Sequence, residues 1–333
     1  MGRMGEAIVR SKLALVSFLM LQAISAFAQS IETKNYPERP VRLIVPWPAG
    51  GGTDIFARAI GEKLHQSLGQ PFLVENRAGA SGNIGASAVA KSAPDGYTIM
   101  IGTITLATNP ALYKSLDFDA TKDLATITLI AGVPHMLVVH PTVPANNVKE
   151  LIALARQKPG KLSYSSAGVG SPFQIAAELF KQSAGVDIFH VPYKGGAPAI
   201  ADVIGHHVDM TFANLVAVLP QAKAGQIRAL AVTSTKRSIA APDVPTMAEA
   251  GLPSYEFTSW FGVLAPAKTP HAIVQKLNTE ITKVLHSPEI SARLSAEGAE
   301  LIASTPEAFG QFLNNETAKW SKIIRAAGIQ QIE

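Results

Sequence analysis

The sequence lacks cysteine altogether and carries few charged residues. None of its 333 residues is a cysteine, and only 16% are charged. Without thiols the chain can form no disulfide, no thiolate metal site and no cysteine nucleophile. Beyond the N-terminal region the longest basic cluster is Lys236–Arg237, which is far short of the clustered basic and aromatic residues of a nucleic-acid surface. We therefore expect no thiol chemistry and no nucleic-acid partner.

A long apolar run occurs only near the N-terminus. The run is "LALVSFLMLQAISAF", which follows three basic residues and leads into "AFA", a small-residue cleavage pattern before Gln29. This pattern predicts a cleavable signal peptide over residues 1–28, cut near Ala28–Gln29, and an exported mature protein. An uncleaved anchor helix is the weaker alternative, because the run is short for a membrane span. Cleavage would lower the formal charge from +4 to about +2, since three basic residues and one acidic residue leave.

Beyond Tyr36, strand-like and helix-like segments alternate with short connections. Predicted strands include "VRLIV", "FLVEN" and "DGYTIMIGT", and a second round of alternation begins near Asn147. Such alternation is typical of parallel sheets covered by helices on both faces. The predicted fold class is therefore α/β, with two doubly wound domains and a cleft between them. Domain 1 comprises residues 36–133 and 260–333, domain 2 comprises residues 134–259, and extended segments near 132–134 and 260–263 cross between them.

Four strand-to-helix connections are rich in glycine. They read "PAGGGTD", "RAGASGN", "SAGVGSP" and "YKGGAPA", two in each predicted domain. Glycine lets backbone N–H groups approach a ligand closely, and a helix N-terminus favours an anion. Any one of these connections alone would be an ordinary tight turn. Four in one chain predict a polar cleft between the domains that holds an anion.

The first glycine loop resembles a nucleotide site only in part. Gly50 and Gly52 fit the first two glycines of the dinucleotide motif, but Ile55 stands where the third glycine would allow close packing of helix and strand. The phosphate loop with its Gly-Lys-Ser/Thr ending is also missing from the sequence. We expect no nucleotide and no other cofactor.

Residues that could perform catalysis are few. The sequence has neither H-E-x-x-H nor G-x-S-x-G. His135, His140 and His190 stand singly in apolar strands, where a structural role is expected, and the adjacent His206 and His207 point too far apart to clamp a metal ion. Asp54 is interpreted as a cap of the first helix rather than as a catalyst. We therefore expect no metal site and no enzyme, and an exported α/β hydrolase is the disfavoured alternative.

Several long motifs resemble a known family. They are "YPERPVRLIVPWPAGGGTDIFAR", "VENRAGASGNIGASAVAKSAPDGYTIMIG", "TNPALY" and "HVPYKGGAPAIADVIGHHVDMTF". In this order they resemble the Bug (TctC-like) family, the extracytoplasmic substrate-binding receptors of tripartite tricarboxylate transporters. One departure is Ala49-Gly50-Gly51, where the family often has Pro-Gly-Gly. The resemblance implies a type II periplasmic-binding-protein fold, a periplasmic monomer, a small carboxylate ligand, and membrane transporter subunits as partners. A receptor that feeds a signalling sensor is the alternative.

The resemblance also implies a set of ligand-binding residues. In domain 1 these are Gly50, Gly51 and Asp54 of the first glycine loop, Ala80, Ser81 and Gly82 of the second, and Thr103; in domain 2 they are Ser166, Gly170, Ser171, Tyr193 and Asn214. Arg77 is expected to order its loop rather than to pair with the ligand. Trp47 and Trp260 could each be cleft wall or plain core. Trp47 is included with the ligand-binding residues, and it favours a larger or aromatic carboxylate.

Overall fold

The structure is a computed structural model that describes residues 35–296, 298–326 and 331–332. The predicted signal peptide, residues 1–28, lies outside the described residues. Across the described ranges, no helix is both long and apolar enough to cross a membrane.

Within the described residues, ten strands form one curled, mixed sheet. They are β1 (Val41–Val45), β2 (Phe72–Asn76), β3 (Thr98–Thr103), β4 (Leu124–Val139), β5 (Ser163–Ser166), β6 (Phe189–Pro192), β7 (Met210–Asn214), β8 (Arg228–Val232), β9 (Thr258–Pro266) and β10 (Glu300–Leu301). The strand order is β2-β1-β3-β9-β4-β7-β5-β6, and β8 and β10 also pair with β4.

In the part of the chain that the structure describes, ten helices cover this sheet. They are α1 (Gly52–Leu68), α2 (Asn83–Ala90), α3 (Thr105–Leu112), α4 (Val148–Gln157), α5 (Pro172–Ala184), α6 (Gly196–Ile204), α7 (Leu215–Lys223), α8 (His271–His286), α9 (Pro288–Ala296) and α10 (Pro306–Ala326), and the 3-10 turn Ala80–Gly82 precedes α2. Helices α1, α2, α3, α5, α6 and α7 each follow a strand of a parallel set, so each begins at the carboxyl end of its set.

The long strand β4 joins two halves of the molecule. Its residues 124–134 pair with β9, whereas residues 135–139 pair with β7 and β8, and all of these pairings are antiparallel. We call the side with β1, β2, β3 and β9 the first half, and the side with β5, β6, β7 and β8 the second half. Parallel pairing occurs at both ends, in β2-β1-β3 and in β7-β5-β6. The parallel sheets predicted from the sequence are thus present, and antiparallel strands lie between them.

The change of partner within β4 occurs between Pro134 and His135. Pro134 pairs with Thr258 at the start of β9, and His135 pairs with Asn214 at the end of β7. The assignment of residues 36–133 and 260–333 to one domain and of 134–259 to the other stays a prediction.

The C-terminal helices pack on the first half. Helix α10 lies against α3 and β4, and α8 lies against α1 and β4. Trp260 is 2% exposed, and its ring contacts Phe309 and Phe312 edge-on at centroid distances of 5.6 and 5.7 Å. Trp260 is therefore part of the core between β9 and α10.

Candidate functional site

Two neighbouring cavities lie between the halves. The small cavity has a volume of about 40 Å³, and the large cavity has a volume of about 470 Å³. Both are lined by Trp47, Pro48 and Ala167. Because Trp47 and Pro48 belong to the first glycine loop and Ala167 to the third, the cavities share a boundary made by both halves.

The small cavity is lined by strand ends and helix starts. Its residues are Trp47, Pro48, Gly51, Gly52, Thr53, Thr103, Ala167, Pro172, Phe173, Gly196, Ile200, Asn214, Ala217, Ser259 and Phe261. Among these described lining residues none carries an acidic or basic side chain. Any charge on a ligand here must be met by backbone N–H groups, hydroxyls, the Asn214 amide and water.

The start of α1 offers such backbone donors to the small cavity. Gly51 is the N-cap residue and makes no side-chain cap hydrogen bond, while Asp54 and Ile55 donate their N–H groups to the Gly51 carbonyl. The first N–H groups of a helix have no acceptor within it and carry a partial positive charge. Gly52 and Thr53, the first two helical residues, line the cavity. This arrangement favours an oxyanion.

Asp54 holds the first glycine loop in shape. Its buried carboxylate accepts hydrogen bonds from the Gly50 N–H at 3.1 Å, from Arg58 Nε at 2.9 Å and from Asn76 Nδ2 at 3.0 Å. Burial alone would raise the pKa of Asp54, but these hydrogen bonds outweigh it and lower the pKa below its usual value. The Gly50 N–H and the Asp54 carboxylate are thus engaged with protein groups, and neither residue lines a cavity. A direct ligand contact through either one stays a prediction.

The second glycine loop has an unusual backbone. Four consecutive residues, Gly79, Ala80, Ser81 and Gly82, have positive φ angles of 132°, 46°, 50° and 91°. Ala80 and Ser81 occupy this left-handed region despite their Cβ atoms, at a cost of about 1–3 kcal/mol each. Such conformations persist only where surrounding contacts fix them, and they cluster at binding sites. Ala80 and Ser81 line the large cavity, whereas Gly82 lines neither.

Ser81 connects the two halves directly. Its hydroxyl donates to the Val169 carbonyl of the third glycine loop. The same faces also meet at Gly195, where an added Cβ would lie 2.8 Å from Pro48 Cγ. The structure is therefore closed over the cavities, with the first and second glycine loops against the third and fourth.

The third glycine loop lines the cavities through residues next to those expected. Ala167, Gly168 and Val169 line the large cavity, whereas Ser166, Gly170 and Ser171 line neither. The Ser171 hydroxyl is the N-cap of α5 and accepts from the Gln174 N–H at 3.4 Å. These three predicted residues support the loop.

Tyr193 and Asn214 face the cavities from the second half. Tyr193 lines the large cavity, and its hydroxyl donates to Asp202 Oδ2 at 2.5 Å. Burial, together with that carboxylate, raises the pKa of Tyr193 to about 12, so the hydroxyl stays protonated. Asn214 lines the small cavity, as does Thr103 from the first half.

A buried histidine orients Asn214. His135 is fully buried, with Nδ1 3.1 Å from the Phe212 carbonyl and Nε2 2.9 Å from Asn214 Nδ2 and 3.0 Å from Ser259 Oγ. Since a carbonyl can only accept, Nδ1 carries the proton and Nε2 accepts from the amide and the hydroxyl. Burial lowers the pKa of His135 to about 3, which keeps the ring neutral. His135 is thus the structural residue that the sequence predicted, and it supports two lining residues.

Arg77 and Lys194 are the basic residues within the four glycine loops. Arg77 pairs with Glu75, which also binds Arg42, and it lines neither cavity, in agreement with the expected loop-ordering role. Lys194 lines the large cavity and was missed by sequence reasoning. Among the described residues that line the two cavities, it is the one basic side chain.

Apolar lining residues were also missed. Phe173, Ile200 and Phe261 line the small cavity. Each had a signal: Ile200 lies one helical turn after the glycine that begins α6, and Phe261 lies two residues after Ser259 on the same face of β9. Phe173 follows the third glycine loop directly and could have been added on that ground.

Known proteins resemble this chain over most of its length. The sequence profile of the Tripartite tricarboxylate transporter family receptor, TctC, matches residues 56–329. BugT of Bordetella pertussis (strain Tohama I) is 37% identical over 308 residues, which are 92% of this chain and 94% of BugT. Rpa4515 of R. palustris, solved with adipate, is 42% identical, with a TM-score of 0.87 over 89% of this chain and 100% of that one. MatC from Rhodopseudomonas palustris, solved with bound malate, is 31% identical, with a TM-score of 0.83 over 87% of this chain and 100% of that one.

These similarities confirm two predictions made from the sequence. The α/β fold is that of periplasmic solute-binding proteins of this type, and the matched profile is that of the family which the sequence motifs resemble. The chain belongs to the TctC, or Bug, family of tripartite tricarboxylate transporter receptors.

Proposed function

We propose that this protein is a periplasmic receptor that binds a small organic carboxylate between its halves and delivers it to the membrane subunits of a tripartite transporter. The observation that carries the proposal is the N-terminus of α1, which faces a cavity whose described lining has no charged side chain. The adipate and malate found in two relatives support a carboxylate as the ligand. Both halves belong to one chain, so a monomer suffices for the site.

The carboxylate group would sit at the start of α1. Backbone N–H groups bind oxyanions through charge-assisted hydrogen bonds, which are about twice as strong as neutral ones. The Thr53 and Thr103 side chains and the Asn214 amide complete a polar rim around this point. Since these groups are neutral, they would bind one carboxylate and would not require the ligand to carry further negative charges.

The body of the ligand would be apolar. The large apolar side chains that line the small cavity are those of Trp47, Phe173, Ile200 and Phe261. Lys194, on the large cavity, would meet a second carboxylate at the far end of an extended ligand. We therefore favour an aromatic monocarboxylate or a dicarboxylate with an apolar chain over a compact tricarboxylate.

Binding would require the halves to separate. The Ser81 hydroxyl bonds the Val169 carbonyl, and Pro48 lies against Gly195, so the glycine loops of the two halves meet over the cavities and a ligand would enter only after they part. Bending at the point where β4 changes partner would open the cavities, as in other proteins that close around a ligand by hinge motion.

The proposal is tested by thermal unfolding with a panel of mono-, di- and tricarboxylates. A ligand present at about 100 times its dissociation constant stabilises a protein by about 2.7 kcal/mol. We expect at least one acid with an apolar body to raise the melting temperature, and citrate to raise it less. A panel in which no carboxylate changes the melting temperature would overturn the proposal.

A further inference from the structure

The third glycine loop is tied to a histidine that lines neither cavity. The Gly170 N–H donates to Gln174 Oε1 at 2.6 Å, and Gln174 Nε2 lies 3.4 Å from His190 Nδ1. On the other side of the ring, His190 Nε2 lies 2.6 Å from Ser166 Oγ, which in turn bonds the Gly168 backbone. The His190 imidazole on β6 is thus linked by hydrogen bonds to Gly170 through Gln174 and to Gly168 through Ser166.

The hydrogen bonds fix the charge state of this ring. Since the Gly170 N–H needs an acceptor, the Gln174 amide must present its oxygen there and its NH₂ to His190. His190 Nδ1 must then accept, and the proton lies on Nε2, directed at the Ser166 oxygen. The ring is therefore neutral and fully partnered in the closed structure.

An added proton cannot be accommodated without breaking this arrangement. A protonated Nδ1 would point its N–H at the Gln174 NH₂ group, so that two donors face each other. Turning the amide over would satisfy the imidazolium but would leave the NH₂ against the Gly170 N–H. The first response removes the Gln174–His190 hydrogen bond that orients the amide, and the second removes the hydrogen bond from the Gly170 N–H to Gln174.

The loop moved by this change is a wall of both cavities. Ala167 lines the small and the large cavity, and the Val169 carbonyl accepts the hydrogen bond from Ser81 of the first half. We propose that His190 is a positioning residue whose neutral form holds the loop Ala167–Gly170 in its closed-cleft position, so that protonation of His190 releases the loop. The inference rests on the proposed function only where it treats this loop as a wall of the ligand site.

The groups that face His190 favour its neutral form in the closed structure. Tyr164 of β5 stacks on it at a centroid distance of 4.8 Å. Of the charged side chains on α5, Glu178 raises the pKa of His190 and Lys181 lowers it. The Glu178 carboxylate also accepts from the Tyr164 hydroxyl at 2.6 Å and pairs with Lys181 Nζ at 3.2 Å. Burial, helped by Lys181, lowers the pKa of His190 below its usual value, and Glu178 opposes this only in part.

The test is NMR spectroscopy of the ¹⁵N-labelled protein without ligand, titrated from about pH 8 to about pH 5, across the usual histidine pKa of about 6.5. We expect the Gly170 amide signal to shift and its protection against hydrogen exchange to fall, with the same midpoint as the His190 ring signals. An exposed-histidine variant, His207→Asn, serves as the control and should leave this behaviour unchanged.

Two variants separate positioning from a merely structural role. In His190→Asn the side-chain oxygen can accept from Gln174 at every pH, so the Gly170 amide should lose its pH dependence while staying protected. In Gln174→Glu the carboxylate accepts from both Gly170 and protonated His190. The pKa of His190 should then rise above that of the wild type, and protonation should leave Gly170 protected.

The inference is overturned if the Gly170 amide does not follow the His190 titration, or if His190→Asn keeps the wild-type pH dependence. It is equally overturned if Gln174→Glu lowers the histidine pKa. Because none of these readouts uses a carboxylate, they distinguish a failure of the His190 switch from a failure of the proposed ligand class.

Discussion

At the residue scale, the buried polar side chains near the cavities form hydrogen bonds with other protein groups. Contacts with a ligand are therefore expected from the residues that line the cavities. Asp54 binds the Gly50 N–H and Arg58, and His135 binds Phe212, Asn214 and Ser259. Both would otherwise be natural candidates for a catalytic carboxylate and base. Their hydrogen bonds instead fix the geometry of Gly51 and Asn214, which line the small cavity.

Replacing Gly51 by valine should remove ligand binding without unfolding the protein. Gly51 has an extended backbone, with φ −87° and ψ 170°, which valine adopts readily, and an added Cβ would lie 3.9 Å from its nearest neighbour, the Pro48 carbonyl. The valine side chain would occupy the small cavity. With the carboxylate that stabilises the wild type most, we expect affinity to fall more than about tenfold, that is, by about 1.4 kcal/mol.

The matched control is Ala49→Val, because Ala49 is exposed in the same loop and lines neither cavity. It should bind the same acid as the wild type does. Equal loss of affinity in both variants, or none in Gly51→Val, would show that the start of α1 is not the binding point.

Histidine 135 should make the free energy of unfolding depend on pH. Its pKa is lowered to about 3 in the fold by burial, against 6.5 in the unfolded chain. Between these values the unfolded chain takes up the proton and the folded one does not. Stability is therefore retained above about pH 6.5 and lost as the pH falls towards 3, at up to about 1.4 kcal/mol per pH unit.

Urea unfolding of the wild type and of His135→Gln, at several values between about pH 6.5 and pH 4.5, measures this dependence. The variant is expected to be less stable at neutral pH, because Asn214 and Ser259 lose a partner, but its stability should fall less steeply with acid. Parallel pH profiles for the two proteins would contradict the assignment of a neutral, buried ring.

At the element scale, the strand ends and glycine loops could be predicted and the middle of the sheet could not. The strands β1, β2 and β3 and the helix starts after them carry local signals in apolar runs and glycines. The antiparallel contacts of β4 with β9 join residues more than a hundred positions apart, and no local pattern specifies them. The sequence predicted a segment that crosses between the domains near residues 132–134, yet only the pairing shows that β4 changes partner there.

The candidate site was predictable to the same extent. Loop glycines indicated a cleft, and Gly51, Thr103 and Asn214 line the small cavity. That these three residues contact a ligand stays a prediction. Side-chain direction was the missing information. The Ser166 hydroxyl bonds His190 and the Ser171 hydroxyl caps α5, so neither side chain lines a cavity. Ala167, which lies between them in the sequence, lines both cavities.

Two glycines of the central strands should respond in opposite ways to alanine. In β9, a Cβ on Gly262 would lie 2.2 Å from Phe309 Cζ on α10, so the ring must move. In β4, a Cβ on Gly132 would lie 3.6 Å from Thr258 Cγ2, which is an ordinary contact. Overpacking a core costs about 1–3 kcal/mol, and we expect that loss for Gly262→Ala alone.

Chemical denaturation of both variants provides the comparison. Gly132→Ala should match or exceed the wild type in stability, since alanine loses less conformational entropy than glycine on folding. Similar stabilities for the two variants would show that α10 does not pack on β9 as closely as described.

At the scale of the whole molecule, the structure is a closed form held by contacts between the glycine loops of the two halves. The Ser81 hydroxyl contributes a hydrogen bond to this closure, and its loss in Ser81→Ala should cost about 1 kcal/mol. The ratio of closed to open molecules without ligand should then fall about fivefold.

Single-molecule fluorescence transfer can measure this ratio. Because the natural chain has no cysteine, Glu62→Cys on α1 and Lys158→Cys after α4 would provide the two dye sites, one on each half. Ser87→Ala is the control, since the Ser87 hydroxyl binds Asp117 within the first half. Unchanged populations in Ser81→Ala would show that this contact does not stabilise closure.

The central claim is that neutral donors at the start of α1 hold a carboxylate between the halves. A crystal structure of the complex with the most stabilising acid tests it most directly. We predict carboxylate oxygens within hydrogen-bond distance, about 2.7–3.2 Å, of the Gly52 or Thr53 backbone nitrogens, with the apolar body against Phe173 and Phe261. A carboxylate paired only with Lys194, or bound outside the two cavities, would contradict the account.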